Sequence, residues 1–164
     1  MQHPSALSTE NLLKSCSIHF QRRSGPGGQN RNKVETAVIL IHVPTQIRAE
    51  ANERRSQAEN KTVALFRLRL KLALEIRLSP TAPSPLWKSR IRGEKISINP
   101  KHTDFPTLLA EGLDLLTANG MEMSVTARQL GCTSSQLCKF IQLEPRAIQL
   151  VNQRRTELGM KSYR

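Results

Sequence analysis

The sequence predicts an α+β fold in two parts. A small mixed-sheet domain with a long packing helix comes first, followed by a small all-α, helix-turn-helix-like domain. Three observations carry this expectation. Ala37 to Val43 is a run of Val, Ile and Leu of strand length. Leu65, Leu68, Leu72 and Ile76 repeat at helical spacing. Prolines at 80, 83 and 85 then interrupt the chain, and the remaining residues are patterned as helices separated by single glycines.

Taken in order, residues 1–13 read as a flexible leader. Ser17 to Arg23 can form a strand with Ile18, Phe20 and Arg22 on one side. Ser24 to Asn30 is Gly/Pro-rich and must be loop. The buried strand Ala37–Val43 ends at Pro44-Thr45, and Gln46 to Ala51 can return as its hairpin partner. From Arg55 to Leu78 a helix is expected, its apolar stripe widened by Phe66, Leu70 and Ala73, with Arg67, Lys71 and Glu75 along its outer face. The first domain therefore spans 14–79, and residues 80–100 form a Pro-rich linker in which Trp87 pins the segment to a domain. In the second domain, 101–164, helices are expected over Asp104–Asn119, Ser124–Leu130, Thr133–Gln142 and from Pro145 to about Leu158.

The 164 residues carry 25 Lys and Arg against 13 Asp and Glu, a formal charge of +12. The excess is net +7 over residues 1–79 and +5 over residues 80–164, so it is not confined to one tail. This charge implies a polyanionic partner, because each cation paired with a phosphate releases condensed counterions. Aromatic residues are only 4%, too few for a base-stacking platform, so phosphate and shape contacts to folded RNA or duplex fit better. No apolar run reaches the ~20 residues of a membrane span. Met1 to Thr9 lacks the basic start and hydrophobic stretch of a secretory signal. Cys16, Cys132 and Cys138 form no Cys-x-x-Cys pair, so neither a disulfide framework nor a zinc site is expected. Cys132 and Cys138 read as small buried hydrophobes, and His19 and His42, on strand positions, as strand or RNA-facing residues and not catalytic ones. The expectation is a soluble, cytoplasmic protein with no metal or organic cofactor and no membrane partner.

Ser24-Gly25-Pro26-Gly27-Gly28-Gln29-Asn30-Arg31-Asn32-Lys33 is the most informative stretch. A phosphate-binding P-loop needs Gly-Lys-Ser/Thr at its end, whereas Lys33 lies between Asn32 and Val34. A dinucleotide fingerprint needs glycine where Asn30 stands. Three glycines in four residues allow backbone conformations closed to other residues and admit another molecule close to the main chain. Gln29 comes next with a backbone N–H and a neutral amide, and Arg22, Arg23, Arg31 and Lys33 lie around it. With no Ser-His-Asp, Cys-His or paired-carboxylate arrangement, chemistry here would work by placing dipoles and water.

Ser24 to Val38 resembles the catalytic loop of class I peptide chain release factors, whose hallmark is Gly-Gly-Gln. Asn32-Lys33, Thr36-Ala37-Val38, His42-Val43-Pro44-Thr45, Glu53-Arg54-Arg55-Ser56-Gln57 and Asn60-Lys61 match the family's pattern in order and spacing. The resemblance covers about residues 14–78. It implies hydrolysis of the ester joining a nascent peptide to the 3′ end of tRNA in the ribosomal peptidyl transferase centre. Gly27, Gly28 and Gln29 are the implied catalytic residues: the glycines shape the loop, and Gln29 stabilises developing charge through its N–H and places water. Arg22, Arg23, Arg31, Lys33, Arg54, Arg55 and Lys61 are the implied RNA contacts. The partners would be the ribosome, through its 23S-type RNA, and peptidyl-tRNA. Gln29 is also a candidate for N-methylation by a methyltransferase, since the family's glutamine is often modified. Arg31 departs from the pattern, standing where a small apolar residue is usual.

Only about 16 residues precede the first expected strand, too few for the stop-codon-reading domain of full-length release factors. The size resembles short, codon-independent members that rescue stalled ribosomes, but the Lys/Arg-rich tail usual in them is replaced by the helical half. There Thr126 to Leu137 resembles a helix-turn-helix, with Ala127, Leu130 and Leu137 as core, Gly131 as turn and Thr133 as cap. Ser134, Ser135, Gln136 and Lys139 would face outward, a surface thin in Arg for a sequence-specific DNA reader. A module used for packing or docking is an equal reading of that half. The alternative function is a non-catalytic, helix-turn-helix nucleic-acid-binding or ribosome-associated factor.

Overall fold

A computed structural model describes residues 2–22 and 35–163, and the chain divides into two compact units, Met1–Leu72 and Ala73–Arg164. The fold is α+β. In the first unit a 3-10 turn at Pro4–Ala6 and helix α1 (Thr9–Lys14) lead into strands β1 (Cys16–Gln21), β2 (Ala37–His42) and β3 (Ile47–Ala51). Helix α2 (Gln57–Glu75) comes next, and the division between units falls within it.

The sheet order is β1-β2-β3, with β2 in the centre. Both pairings are antiparallel, Ile18 facing Leu40 and Leu40 facing Ala49. The expected mixed sheet is thus antiparallel throughout: the four residues between β2 and β3 are enough for a hairpin and far too few for a parallel crossover, and the register of β1 against β2 is antiparallel as well. β3 alternates cleanly, with Ile47, Ala49 and Ala51 buried and Arg48 and Glu50 exposed. β2 is buried along nearly its whole length, as a central strand of aliphatic residues should be.

Helix α2 buries Ala64, Leu68 and Leu72 completely. Its outer cations have a structural task that the spacing alone does not reveal. Arg67 Nη1 donates to the Glu50 carbonyl at 2.8 Å and Lys71 Nζ to the Arg48 carbonyl at 2.6 Å. Both carbonyls lie on the edge strand β3, so the two side chains occupy acceptors that would otherwise invite another strand.

The residues expected as a flexible leader carry the 3-10 turn and α1. Ser8 caps α1 by accepting from the Asn11 amide at 3.2 Å, Leu12 is fully buried, and Arg69 of α2 donates to the Ser5 carbonyl at 2.6 Å. One buried leucine and one arginine reaching back are too little signal to stand out in sequence.

The second unit contains α3 (Pro85–Arg90), the hairpin β4 (Ile91–Arg92) and β5 (Lys95–Ile96), and helices α4 (Phe105–Ala118), α5 (Met123–Leu130), α6 (Ser134–Gln142) and α7 (Pro145–Glu157). α3 and the hairpin lie in the segment expected as a linker, while the elements within 101–164 are the helices α4 to α7. Ser84 caps α3 and is itself held by Glu111, which accepts from its amide and hydroxyl at 2.6 Å each. Trp87 is fully buried: its ring meets Phe140 edge-on at 5.4 Å and its Nε1 donates to the Leu130 carbonyl at 2.9 Å. Asp114 of α4 accepts from Arg77 Nη1 at 2.8 Å and from the Leu78 amide at 3.0 Å. Gly131 ends α5 in the left-handed region at φ 71°, and Thr133 Oγ1 caps α6 by accepting from the Gln136 amide at 3.2 Å. Ala127, Leu130 and Leu137 are buried as expected, and Ser134, Ser135 and Lys139 are exposed; Gln136 is half-buried. Arg155 closes the far end, donating to the carbonyls of Met121 and Lys161 with its guanidinium 3.8 Å from the Tyr163 ring centroid. Among the described residues no helix is long and apolar enough to cross a membrane.

Two outcomes test this packing. Trp87→Ala should destabilise the chain by about 3–5 kcal/mol, read as a lower urea midpoint, because it removes the largest buried ring and orphans the Leu130 carbonyl. His42 is buried at the end of β2, its Nδ1 2.7 Å from Thr45 Oγ1, and burial pushes the imidazole below its ordinary value of 6.5. The neutral form is therefore the folded form. Its contribution should be complete above pH 6.5 and lost as pH falls below it, and His42→Gln should flatten that part of the stability profile.

Candidate functional site

Gly27, Gly28 and Gln29, with Arg23, Arg31 and Lys33, lie outside the described residues. What the structure describes is the frame from which they are hung. Residues 22–36 connect β1 to β2, two adjacent antiparallel strands whose last pair is Gln21 opposite Ala37. The loop therefore leaves and re-enters the sheet at one edge-to-centre step. Across its base the exposed Arg22 guanidinium faces Glu35 at 3.8 Å, an ion pair that solvent weakens.

The stronger tie is a buried amide. Asn60 is fully buried near the start of α2. Its Nδ2 donates to the Thr36 carbonyl at 2.7 Å and to the Arg54 carbonyl at 2.9 Å, and its Oδ1 accepts from the Arg54 amide at 2.9 Å. All hydrogens of that amide are thus used, as burial demands. One turn of helix away, Gln57 Nε2 donates to the Glu35 carbonyl at 2.8 Å. The loop's return stem, the turn after β3 and the first turn of α2 are therefore a single hydrogen-bonded corner.

That corner carries unmatched positive charge. Glu53, the acid of the Glu53-Arg54-Arg55 turn, is paired with Arg67. Burial pushes its carboxyl up, but the amides of Asn52 and Glu53 together with Arg67 outweigh this and hold it below the usual range. Its charge is committed away from its neighbours. Arg54 and Arg55 are exposed, and among the described residues neither they nor Lys61 has an ion-pair partner. The structure thus joins Arg22, Arg54 and the loop stem through the corner, with Arg55 on the same turn and Lys61 directly after Asn60 on α2.

Asn60 is the residue whose task was not read from spacing. The available signal was periodicity: Asn60, Ala64, Leu68 and Leu72 fall four apart, on one ridge, and all are fully buried. A polar residue on a buried ridge needs partners, and here they are three backbone groups. No described residue offers a protein nucleophile of obvious activity. Burial pushes the thiols of Cys16 and Cys138 up, and burial with the nearby Glu94 carboxylate pushes Cys132 up to about 11. Among the described residues no group of three or more His, Cys, Asp or Glu is placed to hold a metal ion.

Asn60→Ala should cost about 2–4 kcal/mol, since it leaves three backbone groups without partners. The checkable signature is local: the Arg54 amide should exchange with solvent faster than amides in the middle of β2. Asn60→Asp should be nearly as costly, because a carboxylate would face two carbonyl oxygens.

The RF-1 domain family matches residues 10–108. Peptide chain release factor PrfB1, chloroplastic, from Arabidopsis thaliana is 56% identical over 67 residues, covering 41% of this chain and 15% of that protein. Peptide chain release factor 1 from Streptococcus thermophilus is 43% identical over 60 residues, 37% of this chain and 17% of that protein. The chain thus spans only a small part of the length of these relatives. With the family's match extending over more than half of its residues, the chain belongs to the RF-1 domain family.

Proposed function

We propose that this chain hydrolyses the ester of peptidyl-tRNA on the ribosome and so releases the nascent peptide. The observation that carries this reading is the pairing of an intact Gly27-Gly28-Gln29 with the fixed stem beneath it, in a chain of the RF-1 domain family. A loop that must enter a crowded RNA pocket benefits from a rigid base, because the entropy of placing it is then largely spent in folding. Relatives named as peptide chain release factors support the same class of reaction.

In the proposed step, water adds to the ester carbonyl carbon and the bond to the tRNA 3′ oxygen breaks. The departing oxygen takes up the proton that the water gives up. Gln29 acts through its backbone N–H on the oxygen where charge develops, and its side chain positions the water. Gly27 and Gly28 let the loop approach RNA closely. Arg22, Arg23, Arg31, Lys33, Arg54, Arg55 and Lys61 hold ribosomal phosphates, and Gln29 is the acceptor for a modifying methyltransferase. The catalytic unit is residues 14–79, joined through 80–100 to the helical residues 101–164. Release proceeds without a stop codon, with the helical half supplying ribosome contact in place of codon reading.

The test is release of labelled peptide from ribosomes with peptidyl-tRNA in the P site, with and without a stop codon in the A site. Wild type should release in both cases and show no hydrolysis of free peptidyl-tRNA. Gly28→Ala should lower the rate at least about 100-fold with ribosome binding retained, the scale of losing a preorganised donor. No release from any complex despite tight binding would favour a non-catalytic helix-turn-helix factor. Release only with a stop codon would remove the codon-independent part alone.

A further inference from the structure

We propose that the second unit carries a docking surface for double-helical RNA, formed by the β4–β5 hairpin and the exposed side of α6. The choice of RNA rests on the ribosomal reading above; the surface itself rests on how charge is distributed in this unit.

Arg92 and Lys95 are the directly opposed pair of the two-residue-turn hairpin, and both are exposed. Like charges facing each other across strands are unfavourable unless an anion lies between or over them. No protein carboxylate does so among the described residues. Arg92 Nη1 donates instead to the carbonyls of Ser89 and Ile91, at 2.9 Å each, which aims the guanidinium without neutralising it. Lys95 has no partner there. The one acid of the hairpin, Glu94, sits in its turn at φ 60° and pairs with neither cation.

The hairpin is seated on the helix-turn-helix. The Thr133 amide donates to the Glu94 carbonyl at 3.3 Å, joining the turn to the start of α6. From Met123 to Leu143, through α5, the turn and α6, the chain contains no Asp or Glu at all, and its two cations, Arg128 and Lys139, are exposed and unpaired among the described residues. Elsewhere in the unit Asp104 pairs with Arg90, Asp114 with Arg77, Glu144 with Arg146 and Glu157 with Arg154. The cations of the hairpin and the helix-turn-helix are thus left without carboxylate partners among the described residues, as are Lys88, Lys101 and Lys161 elsewhere in the unit.

The side chains on that surface fix the kind of polyanion. α6 presents Ser134, Ser135, Lys139 and Gln142, short hydroxyls and a lysine suited to phosphate and ribose oxygens. It offers no Arg, the commonest reader of guanine edges in a DNA major groove, and only Lys139, Gln136 and Gln142 as side chains that could reach a base. Among the described residues no aromatic ring is exposed beside it for stacking unpaired bases. A double helix of RNA is read mainly by its backbone and shape, and a side-on contact needs no helix insertion into its narrow major groove.

The experiment measures binding of the full chain to a short fluorescent RNA duplex over a range of salt, with the same duplex as DNA and one RNA strand alone. The variant Arg92→Gln/Lys95→Gln/Lys139→Gln is compared with wild type and with Lys161→Gln, an exposed cation off the surface. The triple variant should bind the RNA duplex at least about tenfold more weakly and with a salt slope shallower by about two to three, with unchanged circular dichroism and Lys161→Gln like wild type. Equal affinity of triple variant and wild type would overturn the surface, and tighter binding to DNA duplex or single strand than to RNA duplex would overturn its partner. Peptide release is scored separately on the same proteins. A protein that binds duplex through these residues but releases no peptide refutes the hydrolase and leaves the docking surface standing, while release with unaltered duplex binding does the reverse.

Discussion

Much of the first unit depends on the side-chain amide of Asn60. It is a fully buried polar group, and a buried amide is tolerable only when each of its hydrogens and its oxygen has a partner. Satisfying it fixes three separate backbone segments at once: the return stem of the long loop at Thr36, the turn at Arg54 and the first turns of α2. The polar requirement of one side chain becomes a positional constraint on everything attached. The base of the loop is thereby held where the sheet and helix put it.

Charge is arranged by a similar economy of partners. The chain carries nearly twice as many cations as anions, so many cations cannot be paired. Several carboxylates are placed where they hold structure: Glu53 on Arg67, Asp114 on Arg77 and the Leu78 amide, Glu111 on the cap of α3. Cations with structural tasks bind backbone carbonyls, as Lys71 does on β3 and Arg155 at the end of α7. Among the described residues, the cations left exposed and unmatched on the surface include Arg54 and Arg55 in one unit and Arg92 and Lys95 of the hairpin in the other. A polyanion meeting such a surface displaces counterions and need not compete with internal salt bridges.

The helical unit is organised around Trp87 in the same way that the first is organised around an amide. The ring fills space against Phe140, while its N–H takes up the Leu130 carbonyl at the end of α5, where the helix has no donor of its own. A residue from a segment that reads as a linker thus completes the helix-turn-helix, and the adjoining hairpin is brought to α6 as a consequence.

The sequence by itself determined the local elements. The hairpin return at Ala51, the Leu68 and Leu72 positions of the α2 stripe, Gly131 and the Thr133 cap are signals contained in a few neighbouring residues, because strand and helix periods and capping bonds are local, whereas Leu65 and Ile76 of the same stripe are only half-buried. The Gly-Gly-Gln string and its flanking pattern were legible for the same reason. Only the tertiary structure decided what depends on distant partners. Asn60 reads as one more polar residue until Thr36 and Arg54 are beside it. Arg67 and Lys71 read as a solvated face until the edge of β3 lies under them. Trp87 reads as a loose pin until Leu130 and Phe140 surround it. In each case a single side chain has many acceptable local environments. Its task is chosen by residues far along the chain, whose approach is set by the packing of the whole unit and by the need to leave no buried polar group alone.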